Sequence, residues 1–354
     1  MLRNLVDFND MTISEWEELC GLAFDIYDNP EKYSERCKGK ILATLFYEPS
    51  TRTKFSFQAA MIKLGGNVIG FSGTESSSVS KGETLKDTIK IVANYADAIV
   101  IRHFNEGAAF AASLYSDVPI INAGDGGHLH PTQTMTDLFT VKKLMGNLHN
   151  LNIGVCGDLL YGRTVHSLLK ALALYSGNNY YFISTPELSV PEHFTHELKK
   201  SNKITVCGTI EECIENLDIL YMTRIQRERF KSVEEYERQR GVYILDKEKL
   251  KKAKSGLTIL HPLPKNDEIS SEVDDDIRAK YFEQAEFGLY IRMALLIKLT
   301  ENASRISVKE KPKKIIISNS DIKCSNSKCV TNNEPSLPDI NNGIVCSYCE
   351  NQIN

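Results

Sequence analysis

Nine short β-rich runs, apolar on both faces and alternating with helical patterns, constrain the fold of this chain more than any other feature. A strand with two apolar faces must be covered on both, and helices between such strands indicate parallel sheets sandwiched by helices. The runs "KILATLF" (40–46), "NVIGF" (67–71), "DAIVIR" (97–102) and "VPIINA" (118–123) predict one sheet. The runs "LNIGVCG" (151–157), "NYYFIS" (179–184), "KITVCG" (203–208), "DILYMTR" (218–224) and "GLTILHP" (256–262) predict a second. Between the groups, the spacing of Leu138, Val141, Leu144 and Met145 predicts a helix over about 132–147, stopped by Gly146. The apolar "GLYIRMALLIKLTENA" (288–303) predicts a last long helix that packs back on the first domain. The expected class is α/β, with two doubly wound parallel-sheet domains over 1–134 and 135–287 and a cleft between them.

Beyond Ala303 the composition changes. "SRISVKEKPKKIIISNSD" is polar and lysine-rich, with a short β-like "IIIS", and predicts a linker into a separate small unit over 305–354. Asn, Ser, Pro and Cys then dominate, and a segment with so little apolar material needs a staple to fold. Cys324-x4-Cys329-x16-Cys346-x2-Cys349 sets two close cysteine pairs on two turns, the spacing of a tetrahedral four-cysteine zinc site. Disulfides are the alternative that a cytoplasmic setting disfavours, and iron rivals zinc for four thiolates. The other five cysteines, Cys20, Cys37, Cys156, Cys207 and Cys213, are scattered, as reduced core residues of a cytoplasmic protein are. The start "MLRNLVDFNDMTISEWEELC" is acidic and polar where a signal peptide needs an apolar core. No apolar run approaches the roughly 18 residues of a membrane span. A formal net charge of −4 argues against a general binder of nucleic acid or of anionic membranes.

Four stretches carry chemistry. In "FYEPSTRTKFSFQAAMIKLGG" (46–66) Pro49 breaks a strand, Ser50 is a natural N-cap, and Gly65 and Gly66 end the helix that follows. Its first turn offers backbone N–H groups, the hydroxyls of Ser50, Thr51 and Thr53, and the Arg52 guanidinium, which together make an anion site. An ordinary capped helix start is the plainer reading of that string alone. "GDGGHLHPTQTMTDL" (124–138) follows a strand end, where open α/β sheets place ligands. There His130 could donate to a carbonyl oxygen, while His128 reads as a structural histidine. Arg102 and Arg224 end strands, Arg163 opens a helix, and Gln226 follows shortly after Arg224. Turned into one cleft, the arginines fit a substrate with several negative groups; as solvated faces they need none. "SSSVSKGETLKDT" (76–88), bearing Lys81, reads by itself as a loop. No Ser–His–acid set, catalytic carboxylate pair or dinucleotide fingerprint is present, so the expected chemistry is positioning and electrostatic stabilisation.

Taken in order, "STRT", "HPTQ", "GRTVHSL", "TRIQ" and "HPLP" resemble the aspartate carbamoyltransferase catalytic chains over about residues 1–303. The resemblance implies transfer of a carbamoyl group from carbamoyl phosphate to the amine of aspartate, in pyrimidine synthesis, with no covalent intermediate and no active-site metal. It implies that Ser50, Thr51, Arg52 and Thr53 hold the phosphate, and that Thr53, Arg102 and His130 donate to the carbonyl oxygen as it becomes an oxyanion. Gln133 would contact the carbamoyl amino group, and Arg163, Arg224 and Gln226 would grip the aspartate carboxylates. Pro262, Leu263 and Pro264 would line the site with backbone carbonyls. The resemblance further implies a homotrimer with shared active sites, to which the neighbour brings Ser77 and Lys81. Phe287 departs from the family, which usually has Asn before the glycine here numbered Gly288, and raises a question of local packing. Ornithine carbamoyltransferase is the nearest rival. It typically has "HCLP" where this chain has Pro262 and lacks a lysine matching Lys81, and its cationic substrate would sit badly against Arg163 and Arg224.

In the tail, "CSNSKCVTNNEP" and "CSYCE" resemble the zinc domain of the aspartate carbamoyltransferase regulatory chain. In the family that domain docks regulatory chains on catalytic subunits, and a separate preceding domain binds effector nucleotides. Residues 304–314, between the last helix and "IIIS", are too few for a nucleotide domain. The resemblance therefore implies a fused, truncated regulatory chain whose zinc module braces assembly without nucleotide control. A zinc-ribbon scaffold with an inactive enzyme body is the alternative of another class; the intact positions from Ser50 to Pro264 argue against it.

Overall fold

The computed structural model describes residues 2–75, 77–225, 230, 232–301, 324–334, 337 and 345–351. Two units form, Met1–Thr132 with Leu289–Asn354, and Gln133–Gly288.

The first unit opens with α1 (Ile13–Asp28), started by a capping box in which Thr12 Oγ1 accepts from the Glu15 N–H at 3.2 Å and Glu15 accepts from the Thr12 N–H at 3.0 Å. There follow β1 (Ile41–Phe46), α2 (Thr51–Lys63), β2 (Asn67–Ser72), α3 (Leu85–Val92), β3 (Ala98–His103), α4 (Ala108–Tyr115) and β4 (Ile120–Asp125). The strands are all parallel in the order β2-β1-β3-β4. Every residue of β3 and β4 is buried, as their two apolar faces require, while the edge strand β2 is largely exposed. The chain builds outward from β1 to β2, then reverses to β3 and β4. Ligands in open α/β sheets bind at such a reversal, beyond the carboxyl ends of the strands.

The second unit contains α5 (Pro131–Met145, from its third residue), β5 (Asn152–Cys156), α6 (Arg163–Leu172), β6 (Asn179–Ile183), α7 (Glu192–Leu198), β7 (Lys203–Cys207) and β8 (Ile219–Met222). It continues through α8 (Val233–Gln239), α9 (Lys247–Leu250) and β9 (Thr258–Leu260). Its parallel sheet runs β7-β6-β5-β8-β9, with the reversal between β5 and β8.

All nine expected strands are present, each end within two residues of its expected position. The last long helix differs: α10 spans Tyr281–Glu301 and begins well before Gly288. Tyr281, Gln284 and Phe287 are buried at helical spacing, so the turns ahead of the glycine have their own buried face. Phe287, the departure from the family pattern, packs edge-on against Phe139 of α5, with ring centroids 6.2 Å apart and planes at 84°. The linker and "IIIS" lie outside the described residues. The described tail, with the short helix α11 (Val330–Asn333), joins the first unit's apolar cluster through Cys324, Cys329, Val330, Cys346, Tyr348 and Cys349. No helix among the described residues is long and apolar enough to cross a membrane.

Candidate active site and four-cysteine site

The loop after β1 delivers the chain into α2 with Ser50 at the N-cap, in extended backbone (φ −154°, ψ 100°). The Ser50 hydroxyl makes no capping bond, so it does not compete with an anion for the first-turn N–H groups. Thr51 and Arg52 are exposed there and Thr53 is buried. Phe46 pairs in register with Arg102, and the Tyr47 N–H donates to the Arg102 carbonyl at 2.9 Å, which sets Arg102 beside the start of this loop at the sheet reversal.

Arg102 is buried; its Nη1 donates to the Ala123 carbonyl at 3.3 Å and its Nη2 lies 3.3 Å from Glu48 Oε2. Burial lowers its pKa, and the Glu48 carboxylate opposes that shift. His130 is buried just before α5, with Thr132 Oγ1 3.4 Å from its Nδ1. The two side chains meet over Gly124. A Cβ there would lie 3.1 Å from Arg102 Nη1 and 3.3 Å from His130 Cδ2, at a φ of +116° that side chains rarely adopt. A guanidinium and an imidazole converging beside a helix start can polarise a carbonyl oxygen whose neighbouring group is an anion.

Asp125 holds this turn in shape. Its Oδ1 accepts from the Leu129 N–H at 3.0 Å and from Asn122 Nδ2 at 3.1 Å, and its Oδ2 accepts from the Gly107 N–H at 2.9 Å. His128 Nδ1 is 3.1 Å from Asp125 Oδ2 and its Nε2 is 3.4 Å from Glu350 Oε2. Burial works against a charged His128 ring, but Asp125 and Glu350 outweigh it and raise its pKa to about 10. His128 thus sits between two carboxylates and ties the turn after β4 to the tail.

In the second unit the reversal joins β5 to β8. The Thr223 N–H donates to the Cys156 carbonyl at 2.8 Å and the Asp158 N–H to Thr223 Oγ1 at 3.1 Å. Asp158 Oδ1 accepts from the Tyr161 N–H at 2.8 Å, shaping the turn that ends at Arg163, the first residue of α6. Arg163 and Arg224 are both half-buried, and Arg224 follows β8 by two residues. Pro262, Leu263 and Pro264 follow β9, and Gln133 lies in the first turn of α5. Gln226 is outside the described residues. Ser77 caps a single 3-10 turn, Ser78–Lys81, where a loop was expected; its Oγ donates to the Thr74 carbonyl at 2.9 Å, and Lys81 is exposed. The first unit therefore brings Arg102 and His130 together at Gly124, with Arg102 against Glu48 in the loop that leads to residues 50–53. The second sets its candidates after the carboxyl ends of β5, β8 and β9 and at the start of α5.

The four tail cysteines are buried, and their sulfurs all lie within 4.8 Å of one another. Cys324 and Cys349 sulfurs are 3.6 Å apart and those of Cys329 and Cys346 3.7 Å, far beyond the roughly 2.05 Å of a disulfide. Four thiolates at about 2.3 Å around one tetrahedral zinc stand about 3.8 Å apart, so the donor set fits that ion. The cluster grips the first unit by its backbone. Glu106 N–H donates to the Lys328 carbonyl and Val330 N–H to the Glu106 carbonyl, both at 2.9 Å. Glu106 Oε2 accepts from Asn326 Nδ2 at 2.7 Å while its Oε1 accepts from the Gly127 N–H at 3.2 Å. Glu334 accepts from the Leu85 N–H at 2.9 Å and so caps α3. Sequence reasoning missed Glu48, Glu106, Asp125 and Glu350; only the position of Glu350 beside Cys349 gave any signal.

These features define a class: α/β proteins of two parallel-sheet units, each with candidate binding groups at its sheet reversal. Residues 3–143 match the aspartate/ornithine carbamoyltransferase carbamoyl-P binding domain, and residues 149–299 the Asp/Orn binding domain of the same family. An aspartate carbamoyltransferase catalytic subunit of Clostridium botulinum is 58% identical over 299 residues, covering 84% of this chain and 97% of the relative. One from Clostridium novyi is 56% identical over 298 residues, with the same coverage. The catalytic subunit of M. jannaschii aspartate transcarbamoylase superposes with a TM-score of 0.79 at 45% identity, over 84% of this chain and 98% of that one. Trypanosoma cruzi aspartate transcarbamoylase in complex with carbamoyl phosphate and aspartate gives 0.79 at 35% identity, over 84% and 97%. The chain belongs to the aspartate/ornithine carbamoyltransferase family.

Proposed function

We propose that the chain is an aspartate carbamoyltransferase, making N-carbamoyl-L-aspartate and phosphate for pyrimidine synthesis. The convergence of buried Arg102 and His130 on Gly124, with Arg102 held against Glu48 in the loop that enters α2, is the observation that carries this reading. The first unit serves as the carbamoyl-phosphate domain, with Ser50, Thr51, Arg52 and Thr53 on the phosphate. The neutral amine of aspartate attacks the carbonyl carbon. Thr53, Arg102 and His130 donate to the oxygen as it becomes an oxyanion. The bond from carbon to the phosphate oxygen then breaks, and the departing phosphate takes the amine proton. In the second unit, Arg163, Arg224 and Gln226 hold the two carboxylates of aspartate, while Gln133 and the carbonyls of Pro262, Leu263 and Pro264 receive the carbamoyl amino group. Relatives named as aspartate carbamoyltransferases at 56–58% identity support aspartate over ornithine. Replacing His130 by Ala is expected to lower kcat on the order of 10²-fold or more with far less effect on substrate affinity. An unchanged kcat refutes the assigned role.

The tail reads best as a zinc-bound module like that of the regulatory chain, fused without its nucleotide domain, and the sulfur spacing supports it. Assembly as a homotrimer, with Ser77 and Lys81 reaching a neighbour's site, belongs to the same reading. One zinc per chain by elemental analysis and a trimeric or larger solution mass are expected; iron, or a monomer, overturns the respective part. A clear shift of the aspartate saturation curve by ATP or CTP overturns the absence of nucleotide control.

A further inference from the structure

Three polar side chains of the second unit converge on one buried carboxylate. Asp137, one helical turn along α5 from Gln133, is fully buried. Its Oδ1 accepts from Gln133 Nε2 at 2.7 Å and from Gln284 Nε2 at 2.6 Å, while its Oδ2 accepts from the Tyr221 hydroxyl at 2.8 Å. A carboxylate only accepts, so both amides must turn their nitrogens to Asp137 and their carbonyl oxygens away. Gln284 Oε1 in turn accepts from the His261 N–H at 3.0 Å. His261 Nδ1 accepts from the Leu263 N–H at 2.8 Å, at a residue held in left-handed backbone (φ +55°). Gln133 and the turn at residues 262–264 are therefore both referenced to Asp137 Oδ1.

The same bonds decide what this region can offer a ligand. Gln133 gives one N–H to Asp137, which turns its carbonyl oxygen the opposite way. Pro262 and Pro264 have no N–H, and the Leu263 N–H is spent on His261, so the turn presents carbonyl oxygens as well. A set dominated by carbonyl acceptors suits a ligand with N–H donors and penalises one with a methyl group in the same place.

We propose that Asp137 is a positioning residue that makes the enzyme selective for an acyl phosphate bearing an amino group. The inference rests on the carbamoyl-transfer reading above. Asp137 touches no substrate; it fixes which way Gln133 faces and, through Gln284 and His261, where the turn's carbonyls stand.

The test compares binding of carbamoyl phosphate and acetyl phosphate, which carries a methyl in place of the amino group, by calorimetry on the full-length protein. In Asp137→Asn the amides are free to turn, and the ratio of the two affinities is expected to fall at least tenfold. The fall comes from weaker carbamoyl phosphate binding, with acetyl phosphate little changed. Gln284→Met leaves the Asp137 carboxylate in place but cuts its link to the turn, and should lose several-fold of the same ratio. It provides the reading if Asp137→Asn does not fold. A folded variant of either kind that keeps the wild-type ratio, or weakens both ligands equally, overturns the inference. Wild-type protein that binds neither ligand removes the carbamoyl-transfer reading and this inference with it.

Discussion

At Arg102 two requirements oppose one another: burial disfavours its charge, and the proposed chemistry needs that charge. Glu48 at 3.3 Å supplies the balance, a partner that the string "FYEPSTR" does not announce because the pair forms across two strands. The neighbouring His103 resolves the same conflict the other way. Burial drives its pKa down to about 4, only partly opposed by Asp125, and its Nδ1 accepts from the Asn105 N–H at 2.9 Å. The folded value lies below the ordinary 6.5, so His103 contributes stability that is fully present above pH 6.5 and is lost as pH falls through 4. The full loss is about 3 kcal/mol. Denaturant titrations at pH 7.5 and 4.5 should show His103→Asn, which keeps an acceptor for Asn105, losing clearly less on acidification than the wild type. Equal losses contradict this account. Arg102 and His130 were legible in the sequence because strand ends and a His-Pro turn are local signals. Glu48, which balances Arg102, is remote from it in sequence and was not.

Among the elements, the tail shows how far local patterns reach. The cysteine spacing foretold a four-sulfur cluster but not its seat, because the surface it meets is written in "NEGAAFAA" (105–112), which reads as an unremarkable helix start. Gly107 is the close approach: at φ +83°, a Cβ would fall 2.6 Å from the Tyr348 carbonyl carbon and oxygen. Tyr348 then stacks edge-on against Phe110, with centroids 5.4 Å apart. Gly107→Ala should therefore destabilise the docked tail by about 1–3 kcal/mol, from overpacking and left-handed backbone together. Hydrogen exchange reads this directly. Faster exchange at residues 324–334 and 345–351 with β5 to β9 unchanged is expected, and unchanged exchange in the tail contradicts the docking. The helix α10 gives the converse lesson. Gly288 looked like a boundary, yet tertiary burial of Tyr281, Gln284 and Phe287 carries the helix through it.

For the whole molecule, the strands and their parallel arrangement were legible because burial on both faces leaves a plain apolar signature. The strand order was not, since it is decided by crossovers rather than by composition. The chain carries two sheets, each with its own reversal, and candidate residues gather at both. Within the first unit, the tail bonds to the turns after β3 and β4 and to the start of α3. If the proposed zinc is bound by the tail, stripping it with a strong chelator is expected to lower thermal stability and to reduce kcat, since Glu106 and His128 would lose their tail partners. Both should recover on adding zinc. A stripped protein with wild-type melting and turnover would show the tail to be ornamental. The central claim, that this fold and site transfer a carbamoyl group to aspartate, is tested most directly by a product assay with carbamoyl phosphate and either aspartate or ornithine. N-carbamoyl-aspartate with aspartate and no citrulline with ornithine is the predicted result; turnover with ornithine alone, or with neither, would contradict it.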